Sequence, residues 1–289
     1  MNWEPAAPIP PGEQRIDPDN PPWGVIAAFF VWLLSFLSLA LVPAIFLLGY
    51  ALQRGLAPSN PNFQRALAEL TAKDPTAIFL LVVGNLPAHL LTLVFVWALV
   101  TQFGRHPFWE TIGWGWGRYF RLWSSIALGI VLFVAGTIIA KFLGSDKPTP
   151  LEQMLDSSVA TRYAIAFLAT LTAPFVEEFI YRGILYSAFQ RLIGRVGAVI
   201  FVVALFTAVH VPQYRPNYGV IAAVGLLSVF LTIIRAVSGR LLPCFVVHLV
   251  FNGIQSVIII LGPHVTSPTV APDQATITLA VAHLLRFPG

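Results

Sequence analysis

The chain has 289 residues, 57% of them hydrophobic and only 10% charged, against about 25% charged in ordinary soluble domains. Several apolar runs approach the twenty residues needed to cross a bilayer, so the composition describes a polytopic helical membrane protein. The net charge of +4 is scattered over segment ends with no run of five basic residues, which leaves nucleic-acid binding without support, and the single cysteine, Cys244, excludes an intramolecular disulfide and a Cys-rich metal site.

Residues 1–22 hold seven prolines and four acidic residues around Arg15. This tail is too polar to bury a core and is expected to be flexible, and it lacks the basic-then-apolar order of a secretory signal. Residues 23–50 form the first expected span. Residues 51–75 leave the membrane, and Phe63, Leu67 and Leu70 at helical spacing among Gln64, Arg65, Glu69 and Lys73 predict a short surface helix. The second span, 76–102, contains Asn85, Pro87 and His89, which are expected to satisfy one another or the backbone within the bundle. Residues 103–121 read as an interfacial belt, with Trp109, Trp114, Trp116 and Tyr119 beside three arginines, and the third span covers 122–143. Residues 23–143 thus form an N-terminal group of helices.

Residues 144–160 carry Asp146, Lys147, Glu152 and Asp156 and read as a solvated loop. The fourth span, 161–192, is too long for a perpendicular crossing. Gly194 and Gly197 flank Arg195 and predict a tight turn into a fifth span, 198–211, which Pro212 and Pro216 end. A sixth span covers 218–237, Gly239 and Pro243 mark the next break, and a seventh runs to 261. Residues 161–261 therefore form a helical core, followed by a tail, 262–289, whose apolar piece at 275–285 is short for a span. The expected fold class is all-α: a polytopic transmembrane helical bundle of seven or eight spans, integral to the plasma membrane or, in a bacterium, the inner membrane. The positive-inside rule, counted over eight spans, places the N-terminus in the cytoplasm.

Within the fourth span, Pro174-Phe-Val-Glu-Glu-Phe-Ile-Tyr-Arg-Gly183 concentrates three formal charges. Each costs about 2.5–3.5 kcal/mol to insert, so such groups face a protein interior or water and mark a functional site by default. Glu178 and Arg182 are four apart on one face, in the favourable order for an ion pair, while Glu177 is rotated about 100° and left free. Pro174 removes a hydrogen bond just before Glu177, and a kink there would admit water. Glu177 lies 17 residues before Gly194 and His210 lies 16 after it, so a hairpin at Gly194 returns both to one depth, about 25 Å from the turn. His248 and Asn252 are four apart on the seventh span and address one point, although a turn at Ser238 leaves His248 about 10 Å short of Glu177's level unless that turn lies deeper or the helices tilt.

A free carboxylate, two imidazoles and an amide suit a water-activating hydrolase, with the carboxylate as base and N–H groups on an oxyanion. Glu177, His210 and His248 equally suit a His₂Glu zinc site with one position open for water, and the spacing leaves both open. No His-Glu-x-x-His run is present. Taken singly, Glu178 with Arg182 reads equally as a structural ion pair, and each histidine as a hydrogen-bonded bundle residue. His106, His264 and His283 lie at segment ends and receive no role. Two other classes compete: a non-enzymatic immunity factor or scaffold, and a proton-coupled transporter, the latter disfavoured because no internal repeat is visible.

Glu177-Glu-Phe-Ile-Tyr-Arg182 resembles the EExxxR motif of the CPBP intramembrane proteases, Phe206-Thr-Ala-Val-His210 their FxxxH motif, and His248-Leu-Val-Phe-Asn252 their HxxxN motif. That family includes the type II CAAX prenyl endopeptidases and bacteriocin-immunity (Abi) relatives. The resemblance covers about 161–261 and holds all three motifs in order. It implies an intramembrane endopeptidase in which Glu177 and His210 activate water, His248 and Asn252 hold the oxyanion, and Glu178 and Arg182 support the site. Its implied partners are the lipid bilayer and a peptide or protein substrate, prenylated or not, and its implied cofactor is Zn²⁺ or none. Glutamate-dependent and metal-dependent mechanisms both remain open.

Overall fold

The computed structural model describes residues 17–265, with side chains to 262. The expected C-terminal piece at 275–285, most of the Pro-rich tail including Arg15, His283, Arg286 and the side chain of His264 lie outside the described residues.

Among the described residues the chain is helical throughout its apolar runs, because backbone N–H and C=O groups in lipid have no partner except one another. Helix α1 (Val25–Gln53) is followed by the surface helix α2 (Phe63–Lys73), which buries no side chain, as its amphipathic spacing predicts. Helices α3 (Pro75–Val83) and α4 (Asn85–Thr101) together make the second span. Asp74 caps α3 by accepting from Thr76 N and Ala77 N, and Pro75 occupies the first turn, where no donor is lost. After a single turn, α5 (Phe108–Thr111), come α6 (Leu122–Leu143) and α7 (Pro150–Ser157).

The loop expected at 144–160 therefore contains a helix. Thr149 accepts from Glu152 N and the Glu152 carboxylate accepts from Thr149 N, a capping box with Pro150 at the first position. Its apolar side is short, yet Leu155 is buried and Leu151 and Met154 reach a central cavity.

The motif-bearing stretch runs through α8 (Val159–Phe167), a π-helical turn (168–172), α9 (Ala173–Glu177), a longer π-helical segment (178–185) and α10 (Tyr186–Tyr214). The disturbance expected from Pro174 thus takes the form of a widened turn that ends just before it. Gly194 has φ 74°, which turns the chain back on itself. Helices α11 (Tyr218–Ser238) and α12 (Leu242–Val265) complete the bundle. Helix α11 packs between α10 and α6, and α6 also packs on α12. A Cβ on Gly129 of α6 would stand 3.0 Å from Val247 O, so the missing side chain lets those two backbones approach.

Among the described residues six helical stretches are long and apolar enough to cross a membrane, and the protein is integral and multi-pass. This is fewer than the seven or eight expected. The expected fourth and fifth spans belong to one 56-residue helical stretch, Val159–Tyr214, folded at Gly194.

The end of the Pro-rich tail is tied down. Arg235, fully buried, donates from Nη1 to Asp19 Oδ1 at 2.7 Å and from Nη2 to Pro18 O at 2.6 Å. Gln190 donates to Asp19, Arg191 to Pro21 O, and Trp23 Nε1 to Ile184 O. Burial pushes the Asp19 carboxyl up, but Arg235, assisted by Gln190, more than offsets this and holds it below its ordinary value of 3.8. A carboxyl lowered in the folded state contributes stability above its unfolded value and loses it as pH falls through the folded one. Asp19→Asn should therefore lower thermal stability of the detergent-purified protein by roughly 1 kcal/mol, near the surface-pair scale because the carboxylate is partly exposed. The gap from wild type should be full above pH 3.8 and close below it; a gap unchanged by acid would remove the carboxylate's charge from the account.

Candidate active site

The two adjacent glutamates have different fates. Glu178 is fully buried, and its Oε1 accepts from Arg182 Nη1 at 3.1 Å and from His248 Nδ1 at 2.8 Å. Arg182 is also fully buried, and its remaining donors reach α11: Nε meets Thr232 Oγ1 at 3.3 Å, and Nη2 meets Ser228 Oγ at 2.9 Å and Ser228 O at 3.3 Å. The guanidinium lies over the Phe206 ring at 4.6 Å, a cation–π contact in a desolvated setting. Phe206 also meets Tyr181, His210 and His248, so the phenylalanine of the FxxxH motif is the hub around which the three motifs pack.

Glu177, one position earlier, is rotated away and faces the cavity with 24% of its side chain exposed. His210 Nε2 lies 4.0 Å from its Oε1, and His248 Nε2 lies 3.7 Å from its Oε2. Both rings have their tautomer set from behind. His210 Nδ1 is 2.7 Å from Phe206 O, and a carbonyl only accepts, so Nδ1 carries the hydrogen. His248 Nδ1 donates to the Glu178 carboxylate in the same way. Each ring thus turns its Nε2 to Glu177, a bare acceptor when the ring is neutral and a donor when it is protonated. Separations of 3.7 and 4.0 Å are too long for a direct hydrogen bond.

The shortfall in depth expected for His248 does not occur, because the turn before α12 lies deeper than the Gly194 turn. A Cβ on Gly183 would meet Leu241 Cδ1 at 3.3 Å, so the start of α12 is level with the middle of the π-helical segment. Both Glu177 and His248 are then about two turns from that level. Asn252 stands one turn beyond His248 and also lines the cavity, where its Nδ2 donates to Ala169 O at 2.9 Å. That carbonyl belongs to the π-helical turn at 168–172. Ser256 donates to Ala166 O and accepts from Thr170 Oγ1, which extends the seam between α12 and α8.

The cavity holds about 450 Å³, within the usual range of ligand sites, and is walled by α1, α4, α7 and the motif-bearing helices. Glu177, His210 and His248 are of the right kind for a His₂Glu metal set, but among the described residues no three His, Cys, Asp or Glu side chains stand close enough together to hold an ion. Sequence reasoning missed Ser228, Thr232 and the hub role of Phe206. The signal for the first two was two small hydroxyls four apart on an otherwise apolar span.

Residues 159–254 match the family model described as Type II CAAX prenyl endopeptidase Rce1-like. The match runs from α8 into α12, includes all seven side chains of the three motifs, and supports a CAAX-type intramembrane protease. No curated protein and no solved structure matches the chain.

Arg182→Leu removes the cation while leaving Glu178 buried, so it should cost about 3–5 kcal/mol of stability. Thermal denaturation in detergent measures this; a wild-type melting temperature in the variant would show that the ion pair is dispensable to the fold.

Proposed function

We propose that the chain is an intramembrane endopeptidase in which Glu177 is the general base. The observation that carries this reading is the approach of two imidazole Nε2 atoms to one cavity-facing carboxylate whose neighbour, Glu178, is committed to an ion pair. Water held between Glu177 and His210 loses a proton to Glu177 as its oxygen attacks the scissile carbonyl carbon. The carbonyl oxygen becomes an oxyanion, met by an N–H of His248, in its protonated form, and by the second Nδ2 hydrogen of Asn252. Collapse of the tetrahedral species breaks the C–N bond, and the proton taken from water passes to the leaving amine. Glu178 and Arg182 do not touch substrate in this scheme; they hold His248 in place and fix its Nδ1 hydrogen.

A cavity reached from a lipid-facing bundle suits a peptide whose cleavage site lies near the membrane face, with or without a lipid on it. The steps above use only protein side chains. Zn²⁺, if the three side chains close around one, would supply Lewis acidity and a more acidic water at the same place.

Cleavage of a prenylated CAAX-type reporter peptide by the detergent-purified protein tests the proposal. Glu177→Gln should lower the rate by roughly 10²–10⁴-fold while leaving the melting temperature near wild type. Undiminished cleavage by that variant would remove Glu177 as the base. A chelator in the same assay separates the two chemistries: retained cleavage assigns water activation to carboxylate and imidazole alone, and loss restored by Zn²⁺ assigns the same side chains to an ion.

A further inference from the structure

Asn85, His89 and Thr92 stand at i, i+4 and i+7 on α4, and all three line the cavity that holds Glu177. Their polar capacity is only partly used. Asn85 Nδ2 donates to Leu81 O at 2.9 Å and Val82 O at 3.1 Å, so both amide hydrogens are committed and Oδ1 is left as an acceptor. His89 Nδ1 lies 2.9 Å from Thr172 Oγ1, and that hydroxyl itself donates to Leu168 O. The hydroxyl must then accept from Nδ1–H, and the neutral ring keeps a bare Nε2.

Thr92 is the most telling of the three. Elsewhere in the spans, Thr101, Thr137 and Thr207 return their hydroxyls to the carbonyl four residues back at 2.8–2.9 Å. Thr92 is fully buried and its Oγ1 has no hydrogen-bond partner among the described residues. An unmet buried hydroxyl in a bundle is unfavourable and calls for an account.

The row therefore offers two bare acceptors and one free hydroxyl along α4. Its ends, seven residues apart, are separated by about 10.5 Å along the helix axis, and three residues of extended chain cover about 10 Å. The row is uncharged as set by these bonds, which suits neutral N–H donors rather than a cation. We infer that Asn85, His89 and Thr92 form a substrate-backbone subsite, accepting the N–H groups of an extended peptide segment of about three residues beside the scissile bond. This deepens the endopeptidase reading and rests on it. Recognition through the backbone orients the peptide without reading its side chains, so the three act as positioning residues.

The test uses the full chain in nanodiscs and a prenylated CAAX-type reporter peptide, with single backbone N-methyl groups placed in turn on the three residues to either side of the cleaved bond. N-methylation deletes one N–H and keeps the carbonyl. Binding is read by fluorescence anisotropy to Glu177→Gln and cleavage by wild type. At one or two positions the methyl group should weaken binding about tenfold, the scale of one hydrogen bond into a buried site. In Thr92→Val, a near-isosteric change, and in His89→Leu, that penalty should fall below about threefold, with thermal melting confirming that both fold. Equal N-methyl penalties in the variants and their parent would overturn the subsite while leaving the endopeptidase reading intact. N-methyl-sensitive binding without cleavage by wild type would keep the subsite and remove the endopeptidase. Absence of both binding and cleavage would overturn both.

Discussion

The structure depends on how a guanidinium is kept inside a lipid-embedded bundle. Arg182 has no access to solvent, so its donors must be met by protein, and the partners come from two helices: Glu178 on its own segment, Ser228 and Thr232 on α11. Phe206 covers one face of the cation from the far arm of the Gly194 hairpin. Meeting one charge thereby joins the motif-bearing segment, its hairpin partner and α11. Because Glu178 Oε1 is shared between Arg182 and His248, the same ion pair reaches α12 and decides which nitrogen of His248 faces the cavity. Stability and site chemistry meet at one carboxylate oxygen.

The second organising feature is the irregular helix. Two π-helical stretches, 168–172 and 178–185, bracket Glu177. Widened turns place side chains at angles that a regular helix does not offer and free carbonyls for other partners. Ala169 O in the first of these stretches accepts from Asn252, and Ala166 O just before it accepts from Ser256, so the seam with α12 is built on backbone carbonyls of this segment. The consequence is a cavity wall whose backbone is satisfied sideways, leaving Glu177, His210 and His248 to face the interior. Opposite them, α4 contributes a polar row whose backbone-facing atoms are committed and whose remaining atoms are not.

At the Gly194 end of the bundle, Asp19 meets Arg235 and Gln190, and Trp23 reaches Ile184 O. These ties connect the chain entering α1 to the helices that carry the motifs. None of these residues lines the cavity, so they act on the bundle's packing and not on the reacting groups.

Much of this was legible in the sequence by itself. Hydropathy and length located every apolar run among the described residues, since lipid offers the backbone no alternative to helix. The i, i+4 rule paired Glu178 with Arg182 and freed Glu177, and counting residues about Gly194 brought His210 to Glu177, because helix rise is constant and a single glycine turn sets the register. The capping box at Thr149 and Glu152 was equally readable from Thr-Pro-Leu-Glu, though short polar stretches invite a loop reading. Tertiary structure alone decided the rest. The depth of His248 depended on where the turn before α12 settles, which Leu241 against Gly183 determines and no spacing encodes. Asn85 and His89 were expected to be satisfied within the bundle; which of their atoms are used depended on the approach of Thr172 and the local backbone. Partners such as Ser228, Thr232 and Phe206 lie 24 to 50 positions from Arg182. Helical periodicity relates residues along one helix, whereas contacts between helices follow from how their surfaces pack, and that is where the site is assembled.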